Sequence, residues 1–389
     1  MQNQSRAQRT RQFGASVAKS HRVSMNNVHR RSIIVDGHCD TPYRLLRHNV
    51  HLEEHDPEAQ VDLRSLRESG ITASFFAAYV PGYYVGRGPA AFAIRLINLI
   101  KSEAARHANQ LSFCADSAGI REAKQRGRIA LMIGVEGGHA IDDSLDILRD
   151  LYRRGARYMT LTHVNTNNWC DSSGDGGRHG GLTDFGRQVV GTMNELGMMV
   201  DVSHISDKAF YNVIETTRTP VVATHSSCRA LCRHPRNMTD DMLRTLAKNG
   251  GVCMINFFSA FVNDNVAKVV MQAQKRVRDQ PTEGGTEELP NDTLDWDLYL
   301  KWFSTLGCPT AKLEDVIDHI LHAVNVTGVE HVGIGSDFDG VPALPEDLQT
   351  ASALPAVTDR LLERGLSEPD VEKILGGNFM RVFEEIERA

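Results

Sequence analysis

Eight short apolar runs, most of them closing on a histidine or a carboxylate, recur along the chain and narrow the folds open to it. They are Ser32–Asp40 (SIIVDGHCD), Ile71–Val80 (ITASFFAAYV), Ile129–Glu136 (IALMIGVE), Tyr158–His163 (YMTLTH), Met198–His204 (MMVDVSH), Val221–His225 (VVATH), Gly251–Phe257 (GVCMINF) and His331–Asp337 (HVGIGSD). Continuous apolar stretches of this length suit strands covered on both faces, which is the situation of parallel strands. Segments with helical spacing lie between them. Ala90–His107 is the clearest, with apolar residues every three or four positions. Asp143–Arg154, Asp184–Leu196, Asp207–Thr216, Asp240–Lys248, Leu313–Val326 and Ser367–Ile386 read the same way, with Asp or Thr available as N-caps. Strands alternating with helices predict a parallel sheet, and eight repeats predict an α/β fold of the TIM-like (β/α)8 barrel type.

Composition sets the outer bounds. With 41% hydrophobic and 24% charged residues, the 389-residue chain has an ordinary globular balance. We expect a single barrel domain over residues 31–389, preceded by a polar, loosely ordered extension over residues 1–30. One interval breaks the rhythm: an insertion at about 258–310 carries the acidic, Gly/Pro-marked stretch PTEGGTEELPND. A surface excursion of one or two helices is expected there, its second half packed through Trp296, Tyr299, Trp302 and Phe303. The net charge of −6 and the lack of a basic stripe exclude nucleic acid as the expected partner. No run of 18 apolar residues and no secretory apolar core is present, so neither membrane attachment nor export is expected, and the protein is read as cytoplasmic. Seven cysteines without a CxxC pair fit reduced thiols rather than a zinc ribbon.

The residues that close the runs carry the chemistry. His38 and Asp40 close the first, Glu136 the third, His163 the fourth, His204 the fifth, His225 the sixth and Asp337 the eighth. In a (β/α)8 barrel all such ends meet on one face, where catalytic groups are found. His38 and Asp40 stand two residues apart, so an extended strand projects both to one side and Cys39 to the other. A carboxylate such as Glu136 can bridge two ions, and His204 and His225 on neighbouring strands can complete a second shell. Imidazole with carboxylate suits Zn²⁺ or a similar divalent ion. Paired ions of this kind sit roughly 3.5–4 Å apart and share a bridging hydroxide that is nucleophilic at neutral pH. Any one of these residues alone is weak evidence; five at the same end of four apolar runs are not.

Other histidines carry less. His139, in EGGHAID, could orient Glu136 or face solvent. His179 lies in the glycine-rich GDGGRHGG, which lacks a P-loop pattern and reads as a flexible connection or lid. His48, His51 and His55 are expected to be exposed, and His319 and His322 to be structural on a helix.

Taken together, VDGHCD, GVEGGHAI, YMTLTHVNTN, VDVSH, ATHSSCRALCRHPRN and VGIGSDFDG resemble the renal (membrane) dipeptidase family of zinc peptidases, from about Ile33 to the C-terminus. The resemblance implies a TIM-like barrel with a binuclear zinc site. His38 and Asp40 would bind one Zn²⁺, His204 and His225 the other, with Glu136 bridging. It further implies that His163 binds the substrate carbonyl as charge develops on it. Arg236 would pair with the C-terminal carboxylate of a dipeptide, a task its planar fork suits. Asp337 would handle the proton between nucleophile and leaving amine. The implied reaction is dipeptide hydrolysis that tolerates a D-residue at the second position, and the implied assembly is a homodimer. Where mammalian members carry a tyrosine near the end of strand seven, this chain has Phe261, so a hydroxyl contact to substrate is expected to be missing. Two rival readings keep the metals: hydrolysis of a cyclic amide, lactone or small ester, and a metal-binding barrel without turnover.

Overall fold

A computed structural model describes residues 26–278 and 309–389. Residues 1–25 of the extension and 279–308 of the insertion, with Trp296, Tyr299, Trp302 and Phe303, lie outside the described residues. Among the described residues nine strands form: β1 (Val35–Cys39), β2 (Ala73–Tyr79), β3 (Leu111–Phe113), β4 (Ile129–Glu136), β5 (Ala156–Thr160), β6 (Met199–Asp201), β7 (Val222–Ser226), β8 (Val252–Ile255) and β9 (Val332–Ile334). They run β2-β1-β9-β8-β7-β6-β5-β4-β3, and a further pairing of β2 with β4 closes eight of them into a ring. Every ladder is parallel. β3, which matches none of the eight apolar runs, is a three-residue strand that pairs with Leu131 and the two residues before it in β4. It stays outside the ring because β5 takes over that edge of β4 from Ile133 onward.

Alternation along the strands makes two cores. Ala73 and Phe75, Ala130 and Met132, Tyr158, Met199, Val222, Val252 and Met254 fill the barrel interior. Their neighbours Phe76, Leu131, Ile133, Met159, Val200, Ala223 and Cys253 pack outward among the helices. Both sets are buried, which is why these strands read as unbroken apolar runs. Phe379 and Phe383 of the C-terminal helix plug the lower end, with ring centroids 5.1 and 6.4 Å from Phe75.

Helices Asp184–Leu196, Asp207–Thr216 and Asp240–Lys248 start where their caps predict. Thr183, Ser206 and Thr239 accept from the backbone N–H three residues on, filling donors a helix start leaves unpaired. Ser367–Ile386, expected as one helix, divides into Glu368–Glu372 and Asn378–Ile386 around a distorted turn. Gly376 lies there against the backbone carbonyl of Ile33, in a space a Cβ would fill. Near the N-terminus, helix Asn27–Arg31 is docked through His29, whose ring nitrogens contact Thr358 Oγ1 at 2.6 Å and the Ser69 carbonyl at 2.7 Å. The described part of the insertion forms helices Ser259–Val262 and Asp264–Arg278. Among the described residues, no helix is long and apolar enough to cross a membrane.

Candidate metal centre

The expected residues meet at the C-terminal mouth of the barrel, delivered by local breaks in strand regularity. Val35 points into the barrel and Cys39 out of it, although strict alternation would put both on one side. A register shift between Asp36 and Cys39 accounts for this and sends His38 and Asp40 inward together. β7 has a similar shift between Ala223 and Ser226, just where His225 sits. His163, His204 and Asp337 each lie three residues beyond the ends of β5, β6 and β9. His204 and Asp337 hold left-handed backbone angles, φ 70° and 63°, conformations that non-glycine residues adopt at a cost and that cluster at functional sites. Gly340 belongs to the same turn; a Cβ there would collide with Asp40 Oδ2.

Three overlapping triads of ligand atoms, each within 4.8 Å, define the cluster: His38–Glu136–His225, Glu136–His163–His204 and His38–Asp40–Asp337. Glu136 is central. Its Oε1 lies 3.1 Å from His204 Nε2 and 3.5 Å from His225 Nε2, and its Oε2 lies 3.5 Å from His38 Nε2. His38 Nε2 is 3.2 Å from Asp40 Oδ2. His163, 19% exposed, stands at the edge of the cluster, 3.9 Å from Glu136. Arg236 is buried beside it. Its Nη2 donates to the His225 carbonyl at 3.1 Å, while Nε and Nη1 have no partner among the described residues.

Burial dominates the electrostatics of the site. Burial, with the charge of Glu136, pushes Asp40 up to about 6, and burial also raises Asp337. Burial pushes His204 and His225 well below their ordinary value, with Arg236 adding to the effect on both. These imidazoles are therefore neutral and carry lone pairs. His38 moves the other way because its neighbours Tyr158, Glu136 and Asp40 together outweigh burial. His204 Nε2 and His225 Nε2 face each other across 2.9 Å, and the buried Asp40 Oδ1 and His204 Nδ1 have no hydrogen-bond partner among the described residues. Convergent buried carboxylates and neutral imidazoles with unmet acceptor capacity fit a divalent cation of the zinc type.

Residues the sequence reading did not single out hold these groups in place. Tyr158 Oη lies 2.8 Å from His38 Nδ1, Thr224 Oγ1 lies 2.8 Å from His225 Nδ1, and Asn256 donates to Asp337 Oδ2 at 2.7 Å. A polar residue inside an otherwise apolar strand was the available signal. His139 is buried rather than turned to solvent, with Nε2 2.8 Å from the Val80 carbonyl. In the glycine-rich loop, the backbone N–H groups of Arg178, His179 and Gly181 all donate to the Asp171 carboxylate, so the loop cradles an anion of its own. His48 and His51 correct the expectation of exposure: half-buried, they lie 3.0 Å from Asp56 and 2.7 Å from Glu103. A polar stretch conceals such pairing, because its partners come from elsewhere in the chain. Phe261 is in helix Ser259–Val262, past the end of β8, with its ring 5.3 Å from the Arg236 guanidinium.

Barrel and cluster together place the protein among the metallohydrolases of the (β/α)8 type. A family model described as membrane dipeptidase, peptidase family M19, matches residues 22–389, and the chain belongs to that family. An uncharacterized dipeptidase of Schizosaccharomyces pombe, C965.12, is 34% identical over 376 residues, covering 91% of this chain and 80% of that protein. The crystal structure of the probable dipeptidase PvdM from Pseudomonas aeruginosa superposes with a TM-score of 0.79 at 25% identity, covering 93% of this chain and 97% of that one. A metallo peptidase from Rhodobacter sphaeroides, liganded with a phosphinate mimic of the dipeptide L-Ala-D-Ala, shares the fold with a TM-score of 0.73 at 23% identity, over 91% and 99% of the two chains.

Proposed function

We propose that the protein is a binuclear zinc dipeptidase that hydrolyses dipeptides, including those with a D-residue at the C-terminal position. The observation that carries this reading is the convergence of His38, His204 and His225 on Glu136, with Asp40 against His38, beside a buried guanidinium whose Nε and Nη1 have no partner among the described residues. His38 and Asp40 would hold one zinc and His204 and His225 the other, with Glu136 between them. Bound there, the ions supply a water nucleophile at neutral pH and polarise the scissile carbonyl.

The chain's own residues do the rest. Arg236 offers Nε and Nη1 to the substrate carboxylate, in a pocket where burial gives a charge-assisted pair its strength. His163 stands where it can donate to the carbonyl oxygen as negative charge builds on it. Asn256 holds Asp337 Oδ2, which leaves Oδ1, 4.0 Å from His38 Nε2, facing the cluster. Asp337 takes a proton at that oxygen and returns it to the departing amine. The bound L-Ala-D-Ala mimic in the Rhodobacter sphaeroides protein supports tolerance of a D-residue. The test is metal analysis of the purified protein together with a screen of L-Xaa-L-Xaa and L-Xaa-D-Xaa dipeptides. Two zinc ions with no hydrolysis of any dipeptide would remove the assignment. Equal cleavage of a dipeptide and its C-terminal amide would remove the role of Arg236.

A further inference from the structure

Just below the ligand cluster, a polar layer crosses three adjacent strands. Thr160 ends β5, Asp201 ends β6 and Thr224 lies within β7, all fully buried. Asp201 collects four donors. Its Oδ2 accepts from Thr160 Oγ1 and from Thr224 Oγ1, both at 2.6 Å, and its Oδ1 accepts from the backbone N–H groups of Ser203 and Thr224, both at 3.0 Å. An ionised carboxylate only accepts, and a threonine hydroxyl has one proton to give. The Thr224 proton is therefore committed to Asp201. At its other side Thr224 Oγ1 lies 2.8 Å from His225 Nδ1, so there it must accept. His225 Nδ1 consequently carries a hydrogen, and Nε2 is left as a bare lone pair turned toward Glu136 and His204.

We infer that Asp201 and Thr224 are positioning residues that lock His225 in its Nδ1–H tautomer and so aim its Nε2 lone pair into the site. The inference rests on the reading of His225 as a metal ligand given above. The hydrogen bonds run in one direction only, imidazole to hydroxyl to carboxylate, and no proton needs to move along them. Such partners fix ring orientation and raise ligand basicity, and losing one typically costs about 10- to 100-fold in metal affinity. A layer that merely tied β5, β6 and β7 together would need the Asp201 acceptors but would be indifferent to the tautomer of His225.

The test uses the full chain in three variants beside the wild type: Thr224→Val, which keeps the shape and removes the hydroxyl; Thr224→Ser, which restores it; and Asp201→Asn. An asparagine amide can donate to Thr224 Oγ1, freeing the hydroxyl proton to point at Nδ1 and favouring the opposite tautomer. Long-range ¹H–¹⁵N correlation spectra of histidine-labelled, metal-free protein, with His225 assigned through His225→Gln, report the tautomer directly. Zinc titration against a competing chelator reports affinity. We expect Nδ1–H in wild type and Thr224→Ser, and a rise of Nε2–H in Asp201→Asn. One zinc should bind about 10- to 100-fold more weakly in Thr224→Val and Asp201→Asn, with Thr224→Ser close to wild type. An Nε2–H tautomer in the wild type overturns the inference without any variant, even if Thr224→Val fails to fold. Unchanged tautomer and affinity in Asp201→Asn overturn it as well. A wild type with the expected tautomer but no affinity for zinc would uphold the tautomer lock and overturn the metal reading of the site.

Discussion

At the barrel mouth, His38, Asp40, Glu136, His204 and His225 crowd together; on the outer wall, His51, Glu53, Glu103, Arg106 and His107 do the same. By distance alone both could hold an ion, since Glu53, Glu103 and His107 also form a triad within 4.8 Å. Their hydrogen bonding separates them. In the outer cluster Glu103 is paired with His51 at 2.7 Å and accepts from the Leu52 N–H at 3.0 Å, while Glu53 meets His107 at 2.8 Å. Arg106 supplies the positive charge, 3.0 Å from His51 and 3.6 Å from Glu53. At the mouth the acceptors face one another, and Asp40 and His204 each keep an atom without a partner among the described residues. Proximity of ligand-type groups is thus common to both; unmet acceptor capacity belongs to one. The outer cluster fastens the loop around His51 to helix Pro89–Arg106, and the mouth is built to receive something.

Substitutions can break this contrast at either end. The largest effect is expected from Glu136→Gln, which should lower dipeptide turnover by more than about 10³-fold and reduce bound zinc, read by metal analysis beside the assay. Asp337→Asn should cost about 10²- to 10⁴-fold in kcat with zinc content near normal, a split that loss of metal could not produce. Arg236→Met should raise KM for dipeptides by about 10- to 100-fold and leave the C-terminal amides little changed. At the outer cluster, Glu103→Gln should leave zinc content and kcat unaltered and lower stability by about 1–3 kcal/mol in denaturant unfolding. Loss of zinc in that variant would erase the distinction between the clusters.

The smallest effect concerns a third kind of histidine, buried with both nitrogens paired. His319 Nδ1 accepts from the Cys228 N–H at 3.0 Å, so Nε2–H donates to the Val262 carbonyl at 3.2 Å. Burial holds it down to about 4, against 6.5 in the unfolded chain. The unfolded chain then binds the proton more readily, so the stability present above pH 6.5 is lost as pH falls toward about 4. His319→Gln should flatten that slope in unfolding curves recorded across the interval.

Much of this organisation is legible in the sequence, for a physical reason. Parallel strands buried on both faces leave unbroken apolar runs, and a barrel gathers their ends on one face, so His38, Asp40, Glu136, His163, His204, His225 and Asp337 could be named as neighbours from the order of the runs alone. The register shifts that turn His38, Asp40 and His225 inward left no such mark, because a bulge is decided by pairing with another strand. Asp201 and Thr224 were hidden for the opposite reason: each lies inside a run that reads as a buried strand, and its partners come from adjacent strands. Asp201 within MMVDVSH was nevertheless visible, as a carboxylate where the pattern calls for an apolar side chain. The division of the last helix turns on Gly376 lying against Ile33, a contact between the two ends of the domain that no local pattern announces.

Tyr158, which meets His38 across 2.8 Å, owes its place to an absence on the next strand. Its ring occupies the space above Gly134, and a Cβ at that position would stand inside the phenol. The two positions therefore form one heritable unit. Any residue larger than glycine at 134 evicts the tyrosine and frees the His38 ring, whereas a smaller residue at 158 opens a void beneath it. A library that varies the barrel interior one site at a time will find position 134 closed to larger residues while Tyr158 stays, and paired changes are the way to explore what that corner of the site allows.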